Sequence, residues 1–179
     1  IAENNEGFEE LNRYLSRHNA NESPLLSRPC SFNHAYFIYP FGKINPSDLL
    51  ENEFIGIRVN EVSRIARSNF LEHLNKLVVH HPVTFKNKIG FNTHRLMRAI
   101  DQNIILSRLD KGQEASTNEV MMSEPELLAH YWQYPQIISN TKSLLENCTI
   151  TFELGTPKNK KLFTDDHKKD HGMLRSMAL

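Results

Sequence analysis

The sequence of 179 residues predicts an α/β domain in which strands and helices alternate. Short runs rich in aromatic and β-branched residues, at 34–41, 54–59 and 76–85, have the composition of strands. Between the second and third runs, apolar residues recur at a helical period over 60–74. A strand, a helix and a strand joined by a crossover of this length form a βαβ unit, so we expect a parallel sheet in a single domain.

The chain before the first strand predicts a helix and a loop. Residues 5–18 carry apolar side chains on one helical face, and Asn4 or Asn5 can cap this helix. Residues 19–31 are rich in Asn and Ser and include two prolines, which is typical of a loop. The run HAYFIYPF follows and is closed by a proline and a glycine, as expected for a short buried strand.

The run KLVVHHPVTF, at 76–85, is the third predicted strand. Asn60 is predicted to cap the helix that leads into it. His80 and His81 lie toward the carboxyl end of this strand, and carboxyl ends of strands are where α/β folds bind ligands.

The second half of the chain predicts further helices and one more strand. Ser123 and Glu126 have the spacing of a capping box, with Pro125 in the first turn. Pro135 interrupts the helical pattern, so we expect two helices there. The predicted elements are a helix at 92–102, a polar loop at 111–118, helices at 124–132 and 135–147, a strand TITFEL at 149–154, and a tail helix capped by Asp165 or Asp166.

Composition argues against several classes of partner. Lys and Arg together number 21, as do Asp and Glu, so no overall field draws the chain to nucleic acid or an anionic membrane, and any DNA contact must be local. Cys30 and Cys148 lack CxxC spacing, which favours reduced core thiols in a cytoplasmic protein over a disulfide scaffold or a zinc knuckle. No apolar run approaches the roughly 18 residues that span a bilayer, so we expect a soluble protein with no membrane partner.

The histidines offer a weak metal-site signal. Adjacent residues on an extended strand point to opposite faces, so His80 and His81 cannot both bind one metal unless the strand has already ended. One interpretation makes one of them a metal ligand. We favour a polar strand end or a loop contact, because a metal site needs three or four ligands from several strand ends and only one candidate cluster is present. For His94, we expect a structural role, such as an imidazole bonded to a backbone carbonyl.

The tail contains two charged groups of residues. The group of Asp, His and Lys at 165–171 looks like a ligand cluster, but mixed charge runs are usually solvated faces. Lys158, Lys160 and Lys161 could contact a phosphate backbone or belong to a surface linker. The sequence has no Gly-rich phosphate loop, no GxSxG and no HExxH.

Two long segments carry a recognisable pattern, HRLMRAIDQNIILSRL at 94–109 and VMMSEPELLAHYWQYPQIISNTKSLLENCTITFELG at 120–155. Both resemble the PHP (polymerase and histidinol phosphatase) domain of bacterial DNA polymerase III alpha subunits. In the second segment, Ser123 to Glu126 match the family's SPEE cap, and Tyr134 with Pro135 match its proline. Asn140 with Thr141 match its NT pair, and Cys148 matches its terminal Cys. The opening IAENNEGFEELNRYLSRH is similar to the family's corresponding segment at Asn5, Gly7, Phe8, Leu11 and Ser16.

The resemblance implies an incomplete PHP-type barrel of alternating strands and helices. Most of the family's metal ligands, including a His-x-His pair, belong to strands that would precede Ile1. A late Asp-x-His pair would fall at Pro82 and Thr84, just after His80 and His81. Proline has no ligand atom and a threonine hydroxyl is a poor ligand for zinc or manganese, so the resemblance implies that the metal site is lost.

The same resemblance implies the domain organisation and the function. The chain begins without Met and stops within a helical pattern, so we expect an excised fragment, with a PHP-like domain at 1–155 and, at 156–179, a linker and the first helix toward a polymerase core. The fragment would be a non-catalytic scaffold without a cofactor in DNA replication. Its partners would be the rest of the polymerase chain, DNA and a proofreading exonuclease subunit.

The polymerase reaction itself would belong to residues beyond this fragment. It is a nucleotidyltransferase reaction with Mg²⁺ held by carboxylates. An alternative is an active PHP phosphoesterase or proofreading exonuclease that uses His80 or His81 with Mn²⁺ or Zn²⁺. A weaker alternative is a free-standing protein of PHP ancestry.

Overall fold

The computed structural model describes residues 1–29, 32–156, 162–164 and 166–178. Within them the strands are β1 (Phe37–Pro40), β2 (Glu53–Ile57) and β3 (Leu77–Val79). The α-helices are α1 (Asn5–Ala20), α2 (Val62–Ile65), α3 (Lys88–Asp101), α4 (Glu124–His130), α5 (Pro135–Glu146) and α6 (His167–Met177). Short 3₁₀ helices are Pro46–Asp48, Val59–Glu61, Asn69–Lys76, Leu106–Arg108 and Lys111–Gln113.

The three strands form a parallel sheet in the order β1, β2, β3. The prediction of an α/β domain with parallel strands is therefore confirmed. The strands are shorter than predicted: the run at 76–85 is a strand only as far as Val79, and Pro82 has no N–H with which to continue the ladder. The described sheet is open, and a closed barrel stays a prediction.

The crossover between β2 and β3 consists of short helical pieces, so the prediction of one continuous helix there is wrong. α2 ends where the Ser68 N–H and hydroxyl both donate to the Ile65 carbonyl, at 3.1 and 2.9 Å. The cap predicted at Asn60 is also wrong. Instead, the Glu61 carboxylate accepts the Arg58 N–H at 2.9 Å and fixes the turn before α2.

The core covers one face of the sheet. Ile55, Ile57 and Leu77 are fully buried there against residues of the crossover, α4 and α5. Tyr131, which follows α4, is also fully buried, and its hydroxyl donates to the Ile57 carbonyl at 2.7 Å. Burial raises the pKa of Tyr131, so this hydroxyl remains a proton donor at neutral pH. The connection between α4 and α5 is thereby attached to the middle strand.

Side chains of α5 cover the outer edge of β3. The Val79 N–H donates to Thr141 Oγ1 at 2.8 Å, and Asn140 Nδ2 donates to the Leu77 carbonyl at 2.8 Å. Asn140 Nδ2 also reaches the Leu74 carbonyl at 2.8 Å. The Val79 N–H and the Leu77 carbonyl point away from β2, toward the side on which a fourth strand would pair. α5 therefore satisfies the backbone hydrogen bonds of this edge in place of a strand.

Two features restrict the pairing of a further strand with the outer edge of β1. Ile1 and Tyr36 exchange backbone hydrogen bonds of 2.7 and 2.8 Å, which adds a short antiparallel contact just before β1. At the other end of β1, Pro40 has no N–H to offer to a further strand.

The strand predicted for TITFEL is wrong. This segment instead runs across the amino end of α1, where the Thr149 N–H donates to the Glu3 carbonyl at 2.8 Å. The Thr151 backbone and the Asn5 side chain exchange two hydrogen bonds of 3.0 Å.

α1 also packs closely on the chain before β1. A Cβ on Gly7 would lie 1.8 Å from the His34 carbonyl oxygen. Only glycine fits at that contact.

The remaining helices begin near their predicted positions. Asn4 caps α1 as predicted, but α3 starts earlier than predicted, with Asn87 as its cap. α4 and α5 match their predictions, although the Ser123 hydroxyl makes no capping hydrogen bond. Asp166 caps α6, whereas Asp165 lies outside the described residues. None of the helices in the described part of the chain is long and apolar enough to cross a membrane.

The contact between α5 and β3 predicts a stability effect for Thr141→Val. Valine keeps the shape of the side chain but cannot accept the Val79 N–H, so we expect the free energy of unfolding to fall by about 1–2 kcal/mol. Urea denaturation followed by circular dichroism measures this change. Ser139→Ala, at an exposed position of the same helix, is the control and should leave the midpoint unchanged. Equal midpoints for the two variants would contradict the role of Thr141.

Candidate functional site at the carboxyl ends of β2 and β3

The carboxyl ends of β2 and β3 border a small hollow. Arg58 follows β2, His80 and His81 follow β3, and the loop at 116–119 closes the other side. The free volume is about 20 Å³, which is roughly the space of one water molecule. The two weak candidate ligands, His80 and His81, lie just after the end of β3, as expected from their place in the sequence. The space that they border is too small for an organic substrate.

His80 extends the sheet by one further hydrogen bond. Its N–H donates to the Ile57 carbonyl at 2.9 Å, and its side chain packs over Gly56. A Cβ on Gly56 would lie 2.7 Å from the His80 Cβ and 2.9 Å from Ile38 Cγ2, so glycine is required beneath the imidazole. Burial, followed by the Arg58 charge, lowers the pKa of His80. His80 is therefore neutral at physiological pH.

His81 is bonded to the neighbouring segment. Its Nε2 lies 2.9 Å from the Val120 carbonyl oxygen. A carbonyl oxygen only accepts hydrogen bonds, so Nε2 carries the proton and donates. Nε2 of His81 therefore has no lone pair to offer to a metal in this arrangement.

The two positions at which the family resemblance expects an Asp and a His hold Pro82 and Thr84. The Thr84 hydroxyl donates to Glu119 Oε2 at 2.5 Å, and the Thr84 N–H donates to the Glu119 carbonyl at 2.9 Å. Phe85 continues this pairing through a parallel bridge to Val120. Pro82 offers no ligand atom, and the threonine hydroxyl is used within the loop.

Glu119 is the residue of this site that the sequence analysis missed. Its carboxylate contacts Thr84 and lies 3.9 Å from Arg58 Nη1. The only signal in the sequence was an acidic residue between a polar loop and the apolar triplet at 120–122. Within the described residues, no three His, Cys, Asp or Glu side chains are placed to hold a metal ion. The residues present at this strand end do not fit the Asp-x-His pair of the family.

His94 has the structural role that we expected but a different partner. Its Nε2 accepts the Ala115 N–H at 3.0 Å, so the ring bonds to a backbone N–H rather than to a carbonyl. In this arrangement Nδ1 carries the proton. His94 thus holds the polar loop against α3 and lies outside the hollow.

The charged tail makes internal hydrogen bonds where the structure describes it. Asp170 accepts the Phe163 and Thr164 N–H groups at 2.8 and 2.7 Å, and the hydrogen bond from the Thr164 hydroxyl contributes most to lowering the pKa of Asp170. His167 and His171 are exposed. Other candidates of the sequence analysis lie outside the described residues: Lys158, Lys160, Lys161, Asp165 and Cys30.

Cys148 is a half-buried free thiol that donates to the Leu144 carbonyl at 3.2 Å. Burial raises the pKa of this thiol, which keeps it protonated and unreactive at neutral pH. This agrees with the expectation of a reduced thiol at this position.

A buried carboxylate lies at the opposite end of β2. Glu53 accepts hydrogen bonds of 2.9 Å from Arg28 Nε, the Tyr39 hydroxyl and the Leu50 N–H. Burial alone would raise the pKa of Glu53, but the hydrogen bonds, that from Arg28 first, outweigh it, and the pKa lies below its ordinary value. Burial, followed by the bond to Glu53, raises the pKa of Tyr39 to about 12. This cluster fixes the loop before β1 to the sheet.

Two comparisons with known proteins give no relative for this chain. No protein-family model matches the sequence. No curated protein matches it with significance. The functional assignment therefore depends on the resemblance found in the sequence and on the contacts described above.

The Glu53 cluster predicts a pH-dependent stability. The folded-state pKa lies below the ordinary value of 4.5, so Glu53 contributes stability above pH 4.5, and this contribution is lost as the pH falls through the folded-state pKa. Glu53→Gln should lower the free energy of unfolding at pH 7 by about 2 kcal/mol, because the charged hydrogen bonds from Arg28 are lost. The loss is no larger because Arg28 is partly exposed and stays hydrated in the variant. Urea denaturation over a pH series measures both effects.

The difference between the native chain and Glu53→Gln should shrink in acid. Glu146→Gln, at an exposed position, is the control for the loss of one carboxylate and should keep the free energy of unfolding of the native chain at pH 7. A stability difference that stays constant or grows below pH 4.5 would contradict a lowered pKa of Glu53.

Proposed function

We propose that this chain is part of a bacterial DNA polymerase III alpha subunit, in which it forms a PHP-type domain that acts as a scaffold without phosphoesterase activity. The proposal starts from the resemblance over 94–109 and 120–155 and from the opening segment. The mixed α/β architecture with parallel strands is compatible with it, since PHP domains are built from alternating strands and helices.

Several residues that match the family have clear structural tasks here, which supports the proposal. Pro135 lies at the start of α5, and Asn140 and Thr141 bind the edge of β3. Gly7 allows α1 to pack on the backbone at His34. Such tasks depend on the fold and do not require a metal site.

The observation that carries the scaffold assignment is the chemistry of the end of β3. Pro82 and Thr84 occupy the expected ligand positions, and Thr84 is bonded to Glu119. His81 uses its Nε2 on the Val120 carbonyl. The polar groups of this strand end are therefore engaged with one another, and their hydrogen bonds hold the loop in one conformation.

A scaffold of this kind would serve the polymerase through its surfaces. Its partners would be the rest of the polymerase chain, DNA and a proofreading exonuclease subunit. The polymerase reaction, with its Mg²⁺ ions, would be carried by residues outside the present sequence. No step of that reaction is assigned to a residue of this chain.

Metal content and hydrolysis test the proposal. We expect the purified protein, at its natural length, to carry no stoichiometric Mn²⁺ or Zn²⁺ by elemental mass spectrometry. It should release no product from a phosphodiester or 3′-labelled DNA substrate when these ions are added, while DNA synthesis with Mg²⁺ proceeds. His80→Ala and His81→Ala should leave both results unchanged, and His94→Ala serves as a control outside the hollow.

Two or three tightly bound ions, together with hydrolysis that His80→Ala or His81→Ala abolishes, would contradict the scaffold assignment. That result would identify an active metal-dependent phosphoesterase with a shifted ligand set. Absence of DNA synthesis by the natural protein would contradict its assignment to the polymerase.

A further inference from the structure

A cleft lies between the loop after β1 and the crossover that follows β2. Phe41 and Gly42 line it from the loop, and Ser63, Arg64, Arg67, Ser68 and Phe70 line it from the crossover. Its volume is about 530 Å³, which falls in the usual range for small-molecule sites. The cleft is separate from the hollow at the ends of β2 and β3, and none of its lining residues has been given a function above.

The two arginines point to the same side of the chain. The Arg67 N–H donates to the Arg64 carbonyl at 3.2 Å, which is the i to i+3 pattern of a 3₁₀ turn, and side chains three residues apart in such a turn are aligned. Both side chains are exposed. Within the described residues, neither guanidinium has a carboxylate partner at ion-pair distance.

Aromatic packing holds Arg64 in place. Its guanidinium lies 4.7 Å from the centroid of the Phe41 ring, and the other neighbour of Phe41 is Phe70, at 4.5 Å between centroids. Phe70 is buried in the core, so this stack is anchored to the sheet. A guanidinium that is stacked by its face keeps its N–H groups available at the edge for a bidentate acceptor.

The charge of the lining favours an anion. None of the described residues that line this cleft is acidic, and the Ser63 hydroxyl adds a hydrogen-bond donor beside the arginines. The neighbouring cleft of about 550 Å³ differs, because its Arg28 is paired with Glu53 and Asp48 is part of its lining. The chain has a net charge of 0, and these two arginines have no ion-pair partner among the described residues. Together in one concave site they make a local positive region.

We propose that this cleft binds a phosphate group of a nucleotide or of a single-stranded nucleic acid, with Arg64 and Arg67 as the recognition residues. Arg is the side chain whose planar fork matches two phosphate oxygens. The inference goes beyond the scaffold function, since it follows from the cleft alone and involves no metal and no hydrolysis.

Fluorescence anisotropy of a labelled twelve-residue oligothymidylate, titrated with the 179-residue chain at low salt, tests the proposal. The double variant Arg64→Ala with Arg67→Ala should bind at least about tenfold more weakly. Its slope of log affinity against log salt should be smaller by about 1.4, the value for two lost phosphate contacts on a single strand. Arg64→Lys with Arg67→Lys should bind with intermediate affinity, because lysine keeps the charge and loses the fork.

A matched control removes the same charge elsewhere. Arg13→Ala with Arg17→Ala, on the exposed side of α1, should bind within about twofold of the native chain. The reason is that the weaker binding of the Arg64 and Arg67 variant comes from lost local phosphate contacts and not from the change in net charge. The control should keep the thermal midpoint of the native chain, since Arg13 and Arg17 are exposed. The Arg64 and Arg67 variants should lower it by a few degrees at most, because the contact of Arg64 with Phe41 is lost.

Competition separates the two sources of phosphate. Displacement of the oligonucleotide by thymidine monophosphate or inorganic phosphate would identify a site for a free phosphate group, whereas displacement by unlabelled oligonucleotide alone would identify the strand backbone. Either result supports the cleft. Absence of saturable binding of the labelled oligothymidylate, unchanged binding in the Arg64 and Arg67 variant, or an equal loss in the control would overturn it, and each of these leaves the metal measurement unaffected.

Discussion

The hydrogen bonds between α5 and β3 are the contact on which the rest of this structure depends. A parallel strand at the edge of a sheet has backbone groups that point away from its neighbour, and leaving a buried one unpaired costs about 1–3 kcal/mol. Thr141 and Asn140 satisfy the Val79 N–H and the Leu77 carbonyl. β3 therefore keeps its register against β2 without a further strand among the described residues, and the position of the chain after β3 is fixed.

That fixed position explains the character of the strand end. His80 continues the ladder to Ile57, and Gly56 gives its side chain the space to do so. The following residues pair with the segment at 119–121, through His81, Thr84 and Phe85. The place where an α/β fold usually binds a ligand is thus closed by its own hydrogen bonds, which suits a domain that supports other parts of a protein.

Local signals in the sequence predicted the elements that local interactions determine. Pro135 marked the start of α5, and the β-branched runs marked the parallel strands. TITFEL was assigned wrongly because its composition cannot reveal whether a strand edge is available to it. The length of the crossover helix was overestimated, because the periodicity of its apolar residues does not show that Ser68 ends α2 by bonding to the Ile65 carbonyl.

The site could be predicted only in part, for a related reason. The position of His80 and His81 after a core strand followed from their place in the sequence. The contacts that define their chemistry join residues far apart: His81 meets Val120 over 39 residues, and Thr84 meets Glu119 over 35. Neither pairing leaves a periodic pattern or a motif, since each depends on how the loops pack on the finished sheet.

The ring nitrogens of His80 and His81 offer the most direct test of a strand end that is closed to metal. A ¹⁵N–¹H spectrum of the histidine side chains reports the tautomer and the charge of each ring. We predict that Nε2 of His81 carries a proton and that His80 is neutral at pH 7, with the signals of both rings unchanged by equimolar Zn²⁺. A joint shift of the ring nitrogens of both histidines on addition of Zn²⁺ would contradict this structure of the site and the scaffold function built on it.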